Sequence, residues 1–333
     1  MMTKRVWLAV AITHSVMMFG LLSMPAMAAD DYPMRKSITL VTPYAPGGGS
    51  DILTRILAEA LRTNLQQNVV VQNVTGAGGA LGSRFVAQAN PDGYTLLSHH
   101  IGLVTSTALY KNPQFDPTRS YEYVGLFADT PMVLVSSPSF PANNVAELIA
   151  YVKQNKDRIT FASSGKGSAT HLCSLLFEKA LGVKVTLIQY KGASPATIDV
   201  TAGRVDLFCD VTAGTIIGAI QSGSLKAFFI TSPTRLNSIP NVPTANESGL
   251  KEVNVSAWYG LYAPAGTPKP VIDRLAEALQ TATKDPAVAL SLAKMETLLF
   301  DTKLARPEAL KKQVESETAR WTDIIQQAGI SPE

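Results

Sequence analysis

The stretch Thr42-Pro43-Tyr44-Ala45-Pro46-Gly47-Gly48-Gly49-Ser50-Asp51 follows an apolar, β-branched run and opens a helical pattern. Its three glycines leave the backbone amides uncovered, and the first turn of a helix presents N–H groups that no carbonyl of that helix can reach. With the partial positive charge of the helix end, such a loop can hold an anion without a basic side chain. Tyr44, Pro46, Gly47, Gly48, Gly49, Ser50 and Asp51 are therefore candidate ligand contacts. The plainer alternative is a strand-to-helix turn with Ser50 or Asp51 as its N-cap. The stretch does not fit G-x-x-x-x-G-K-[ST], so it does not indicate a nucleotide phosphate.

A second loop of this kind, Ser163-Ser164-Gly165-Lys166-Gly167-Ser168-Ala169-Thr170-His171, lies between a strand-like run and an apolar helix. Ser163, Ser164, Gly165, Gly167, Ser168, Ala169, Thr170 and His171 join the candidates, because two donor-rich helix starts would meet on one ligand if two domains closed over it. His171 has no assignable carboxylate partner and reads as a packing or supporting group, not a catalyst. Gly76-Ala77-Gly78-Gly79-Ala80-Leu81-Gly82 superficially matches a dinucleotide fingerprint. Its third glycine is displaced by one position, however, and Asp92 lies in a turn and not at a strand end. NAD is not expected, and Gly78 becomes part of a third cleft wall. His99 and His100 are neighbours on a strand, where side chains alternate faces, so the pair cannot readily chelate one ion. Ser98 and His99 remain candidates for the cleft, with a solvated rim as the other reading of the histidines. No G-x-S-x-G elbow or H-E-x-x-H helix is present, and no nucleophile, base and carboxylate can be assembled from the spacing. The chain reads as a binder with neither cofactor nor metal.

These residues need a framework. Strand-like runs at Ile38 to Val41, Val69 to Val71, Tyr94 to Leu97, Val124 to Phe127, Met132 to Val135, Ile159 to Ala162, Val185 to Ile188, Val205 to Cys209 and Ala227 to Ile230 alternate with amphipathic stretches. The latter predict helices at Asp51 to Leu65, Ala80 to Gln88, Val145 to Lys153, Ala169 to Leu181 and Pro195 to Ala202. Alternation of this kind predicts an α/β fold with largely parallel sheets, whose ligands bind beyond the carboxyl ends of the strands. The runs around Ala128 to Pro131 have no helix between them, which predicts that the chain leaves one sheet there and enters another. A return is expected after the Pro-, Asn- and Ser-rich stretch Thr231 to Val253, with Trp258 to Ala263 as a new strand. Helices are expected near Pro268 and from Pro307, the latter burying Leu310, Val314, Trp321 and Ile325.

With 46% hydrophobic and 17% charged residues, the chain can bury a large core. A formal charge of +3 is too small to suggest nucleic acid. Lys4 and Arg5 precede an apolar stretch ending in Pro25-Ala26-Met27-Ala28, which predicts a signal peptide cleaved after Ala28 and a periplasmic protein; a single membrane anchor is the alternative. Cleavage removes two bases and no acid, leaving the mature chain near neutrality. Cys173 and Cys209 could pair in an oxidising compartment or remain two buried thiols.

Several motifs, in order, resemble the periplasmic receptors of tripartite tricarboxylate transporters, the TctC or Bug family. They include P-x-x-P-G-G-x-x-D at Pro43 to Asp51, Gly76 to Gly79, Pro91 to Leu97, Ser164 to Ser168 with His171, Tyr190-Lys191-Gly192, Val242-Pro243-Thr244 and Trp258 to Leu261. The resemblance implies a two-lobed, type II periplasmic-binding fold that closes on a small organic carboxylate and passes it to membrane subunits of the transporter; a monomer is expected. It places residues 29–128 and 254–333 in one lobe and 129–253 in the other, with the carboxylate held by Tyr44 to Asp51 and Ser163 to His171. Ser98-His99-His100 and Cys209-Asp210-Val211 depart from the family pattern. Asp210 keeps an acidic position beside the cleft, and an extra imidazole could meet a second carboxylate. Two rival readings are an exported enzyme with His171 or Asp210 as its base, and a receptor reporting to a sensor kinase.

Overall fold

The computed structural model describes residues 31–332; the signal segment expected at residues 1–28 lies outside them. In chain order the elements are β1 (Ile38–Thr42), α1 (Gly49–Leu65), β2 (Val69–Asn73), α2 (Ala80–Ala87), β3 (Thr95–His100), α3 (Ser106–Leu109) and β4 (Tyr121–Ser136). Then follow α4 (Val145–Asn155), β5 (Thr160–Ser163), α5 (Ala169–Leu181), β6 (Thr186–Gln189), α6 (Ala193–Thr201), β7 (Leu207–Val211), α7 (Ile216–Gln221) and β8 (Lys226–Ile230). The chain ends with β9 (Ser256–Pro264), α8 (Lys269–Ala282), α9 (Pro286–Ala293), β10 (Leu298–Leu299) and α10 (Pro307–Gln327).

The strands follow the order β2-β1-β3-β9-β4-β7-β5-β6, with β8 and β10 also paired to β4. Each half of this array is mixed. In the first, β1 runs parallel to β2 and β3, while β9 is antiparallel to β3 and β4. In the second, β5 runs parallel to β6 and β7, while β4 is antiparallel to β7 and β8.

The crossing between the halves differs from the sequence expectation of two strands separated by Ala128 to Pro131. One 16-residue strand, β4, runs through both. From Tyr121 to Pro131 it lies along β9, and from Met132 to Ser136 along β7 and β8. Ala128, Asp129, Thr130 and Pro131 lack a strand-forming pattern of their own, but pairing with Tyr259, Trp258, Ala257 and Ser256 keeps them extended. Pro131 has no N–H to contribute, and it sits where the strand changes partners.

α1 begins at Gly49 with Gly48 as N-cap, two residues earlier than expected and with neither Ser50 nor Asp51 capping it. Asp51 instead reaches back and accepts the N–H of Gly47, the residue before the N-cap, at 3.0 Å. α9 escaped the sequence pattern, although Asp285 accepting the Ala287 N–H ahead of Pro286 is an ordinary helix start. α5 matches its expected bounds and is buried through its first turns, from Ala169 to Glu178. A Cys173–Cys209 disulfide, with Cα atoms 6.2 Å apart, resolves the open question about these thiols and ties α5 to β7. In α10, Leu310, Val314, Trp321 and Ile325 are fully buried, as their spacing predicted. No helix of the described residues is long and apolar enough to cross a membrane.

Candidate functional site

Three helices start at one narrow cavity between the halves, of about 20 Å³, room for about one water molecule with the halves packed together as they are here. Gly48, Gly49 and Ser50 come from the start of α1, Ala169 and Thr170 from the start of α5, and Ala193 from the start of α6. Tyr44, His100, Ser164, Asp210 and Val211 complete the wall. The first turn of each helix carries N–H groups that no carbonyl of the same helix can accept.

The first loop is held by Asp51. Besides the Gly47 N–H, its carboxylate accepts from Arg55 through two bonds of 3.0 Å and from Asn73 at 2.9 Å, and Asn73 also donates to the Tyr44 carbonyl. These bonds hold its carboxyl below the usual range although burial pushes the other way. Ser50 shares a 2.9 Å hydrogen bond with the hydroxyl of Tyr259.

In the second loop Thr170 is the hub. Its hydroxyl lies 2.7 Å from the Ser164 amide nitrogen, from which it accepts, 2.7 Å from the Ser164 hydroxyl and 2.9 Å from that of Ser168. Ser168 caps α5 by accepting the His171 N–H, and His171 Nδ1 accepts the Gly167 N–H at 3.0 Å. Burial, with Lys166 and Lys184 nearby, lowers the His171 pKa to about 4. The imidazole is neutral and supports the loop, as the lack of a carboxylate partner suggested.

His99 and His100 are both buried, which removes the solvated-rim reading. The His100 ring stacks on Tyr44 with centroids 4.7 Å apart, and its Nδ1 accepts the Gly102 N–H at 2.9 Å. The neutral ring therefore carries its proton on Nε2. Burial lowers its pKa to about 3. His99 touches the Tyr44 ring edge-on but lines a second, smaller chamber with Gly78, Thr105, Tyr110 and Lys166. Burial and the neighbouring His100 hold His99 well below the ordinary imidazole value. Neighbouring rings thus face different chambers, as strand alternation requires, even though their centroids are 5.0 Å apart.

Among the described residues, Asp210 is the one acid on the main cavity wall. Desolvation raises its pKa to about 7, against a smaller effect of the Val211 amide. The protonated form is therefore populated at neutral pH, and no basic side chain among the described residues lines the same cavity with a charge to offset the ionised one.

The remaining candidates sit behind or beside this wall. Ser98 is buried beneath α1, accepting from the Thr54 hydroxyl at 3.0 Å, and does not line the cavity. Pro46 and Gly47 form the rim, where Ser194 of α6 donates to the Pro46 carbonyl at 3.0 Å. Ser163, Gly165, Gly167 and Ser168 shape the second loop. The sequence reading missed Ala193 and Val211 as wall residues and Ser194 as a rim contact, and it named His99 where strand alternation turns His100 onto the wall and His99 away from it. Gly192 before Ala193 was the available signal, since it opens a third strand-to-helix turn.

The seam around the cavity is close-packed. A Cβ on Gly78 would stand 1.8 Å from the Lys166 carbonyl oxygen, and one on Gly165 would stand 2.6 Å from the Gly78 Cα. A Cβ on Gly49 would meet the Val211 side chain at 2.5 Å. Bare backbone on both sides is what permits this closure.

Two α/β halves joined through a shared strand, with helix starts from both facing one enclosed cavity, define the two-lobed periplasmic-binding architecture. A solved periplasmic binding protein, BugD, has this arrangement with a TM-score of 0.86 and 41% identity, covering 90% of this chain and 99% of that one. The chain belongs to the tripartite tricarboxylate transporter family of receptors, TctC, whose family model matches residues 53–330. A UPF0065 protein of Agrobacterium vitis is 41% identical over 304 residues, 91% of this chain and 87% of its own. MatC of Rhodopseudomonas palustris, solved with bound malate, is 32% identical over 88% of this chain and all of its own, with a TM-score of 0.84. The family is one of binding proteins.

Proposed function

We propose that this chain captures a small organic carboxylate in the periplasm, after cleavage following Ala28, and delivers it to the membrane subunits of a tripartite tricarboxylate transporter. The lobes are residues 29–128 with 254–333, and 129–253. The observation that carries the reading is the meeting of the α1 and α5 starts over one buried cavity. Main-chain donors suit a carboxylate there, because all the histidines nearby are neutral. Hydrogen bonds to a charged acceptor contribute about 1.5–3 kcal/mol each, so a few give micromolar binding, about 8 kcal/mol, after the loss on closure. Protonated Asp210 would donate to a second oxygen of the ligand, and the Tyr44–His100 stack gives that ligand an aromatic wall. A dicarboxylate or an aromatic acid fits these groups. The malate-bound relative favours the former.

Calorimetry on unfolded, ligand-stripped and refolded protein against mono- and dicarboxylic acids tests this reading. Saturable micromolar binding of at least one acid is expected. Failure of every acid, with native circular dichroism recovered, would refute it.

A further inference from the structure

Outside the main cavity, the short segment between β3 and β4 makes an unusual set of bonds across the seam. Buried Thr105 carries its hydroxyl 2.9 Å from the Gly167 carbonyl in the opposite half and 3.0 Å from the Gly102 carbonyl in its own. Tyr110 repeats the pattern, with its hydroxyl 3.0 Å from the Lys166 carbonyl across the seam and 2.9 Å from the Ala77 carbonyl on its own side. Neither residue lines the main cavity. Both carbonyls across the seam belong to the loop that leads into α5.

These bonds are continuous with the wall. The Gly102 N–H donates to His100 Nδ1, the Gly102 carbonyl faces Thr105, Thr105 faces the Gly167 carbonyl, and the Gly167 N–H donates to His171 Nδ1. One chain of hydrogen bonds therefore runs from the ring that walls the cavity in one half to the imidazole that braces the anion loop in the other.

We infer that Thr105 and Tyr110 form a closure latch, positioning residues that set ligand affinity by stabilising the closed lobes without touching the ligand. Each hydroxyl has one proton and two acceptors, one per half. When the halves part, each keeps an acceptor on its own side, so opening leaves no buried donor unpaired and the latch stays reversible. A hydroxyl that merely swaps partners gives each bond a modest effect, about two- to tenfold in the closing equilibrium. Because the latch acts after encounter, it changes dissociation and leaves association alone. The idea builds on the receptor reading for its consequence in binding, but closure itself can be read without any ligand.

The test uses the mature protein with dyes on Thr63→Cys and Ser222→Cys, exposed positions in opposite halves, and single-molecule energy transfer to count closed molecules. Tyr110→Phe and Thr105→Val should each reduce the closed-to-open ratio two- to tenfold, and the double variant by the product, with unfolding midpoints little changed. Titration with malate and adipate should then show faster dissociation at unchanged association for whichever binds. An unchanged closed fraction in the double variant overturns the latch, as does a loss confined to the association rate. If the closed fraction falls as expected but no carboxylate binds, the latch stands and the carboxylate reading fails.

Discussion

The substitution Asp210→Asn should remove a pH dependence that runs opposite to that of carboxylates held by ion pairs and hydrogen bonds. The Asp210 carboxyl is moved from 3.8 to about 7 by burial, so between those values the native protein holds a proton that the unfolded chain has released. The sign follows directly: stability is fully present below the unfolded value, falls as pH rises through the window, and levels off above about 7. Moving the carboxyl from 3.8 to about 7 corresponds to roughly 4 kcal/mol, an upper figure because relaxation around a buried charge reduces it. The asparagine amide keeps the shape and an acceptor for the Val211 N–H but cannot ionise. The ligand-free variant should therefore match the parent within about 1 kcal/mol at pH 4 and exceed it by up to about 4 kcal/mol at pH 8. Urea unfolding at intervals from pH 4 to pH 8 measures this, and the difference between the two proteins is the quantity that matters. His100 and His171 contribute slopes of the other sign, since their folded values of about 3 and about 4 lie below the ordinary imidazole value. Those slopes cancel in the difference. A difference curve that stays flat from pH 5 to pH 8 would show that Asp210 is ionised or solvated in the folded protein and that burial does not control its charge.

Gly78→Ala should leave both halves folded but hold the seam apart, because its Cβ would overlap the Lys166 carbonyl at 1.8 Å. Calorimetry should show carboxylate affinity falling at least tenfold, on the order of 1.4 kcal/mol or more, with circular dichroism unchanged. His171→Ala strands the Gly167 N–H, and urea unfolding at pH 7 should register a loss of about 1–3 kcal/mol. In the parent, the same imidazole supports a stability that is complete above its unfolded value and lost as pH falls towards about 4. Cys173→Ala with Cys209→Ala opens a 36-residue link, and chain entropy predicts a loss of about 4 kcal/mol in chemical unfolding. Because both sulfurs are fully buried, reductant alone should change little until denaturant is added.

The helix starts were legible because they depend on local chemistry: glycine, serine and threonine at Gly47 to Ser50 and Ser163 to Thr170 mark them without knowledge of the fold. α5 was predicted to the residue for the same reason, its Ser168 cap and Gly182 stop both being local. β4 was not, because Ala128 to Pro131 are held extended by β9, some 130 residues later in the chain. The roles of Asp51 and Ser98 were equally hidden. A carboxylate beside a glycine-rich loop can face a ligand or brace the loop, and only the positions of Arg55 and Asn73 decide which. Ala193 carries no chemistry of its own, so its place on the wall depends wholly on where α6 begins. His99 and His100 were separable by alternation along the strand, but their burial required the Tyr44 ring to be packed against them.

The position of β9 has a bearing on how the molecule is made. It fills the slot between β3 and β4, yet it is encoded well over a hundred residues after either. Until Ser256 to Pro264 has emerged, both neighbours present open edges of unpaired amides and carbonyls to any extended strand nearby. A polypeptide truncated before that point should therefore self-associate, and completion of the first sheet must wait until residue 264 of 333 has been made.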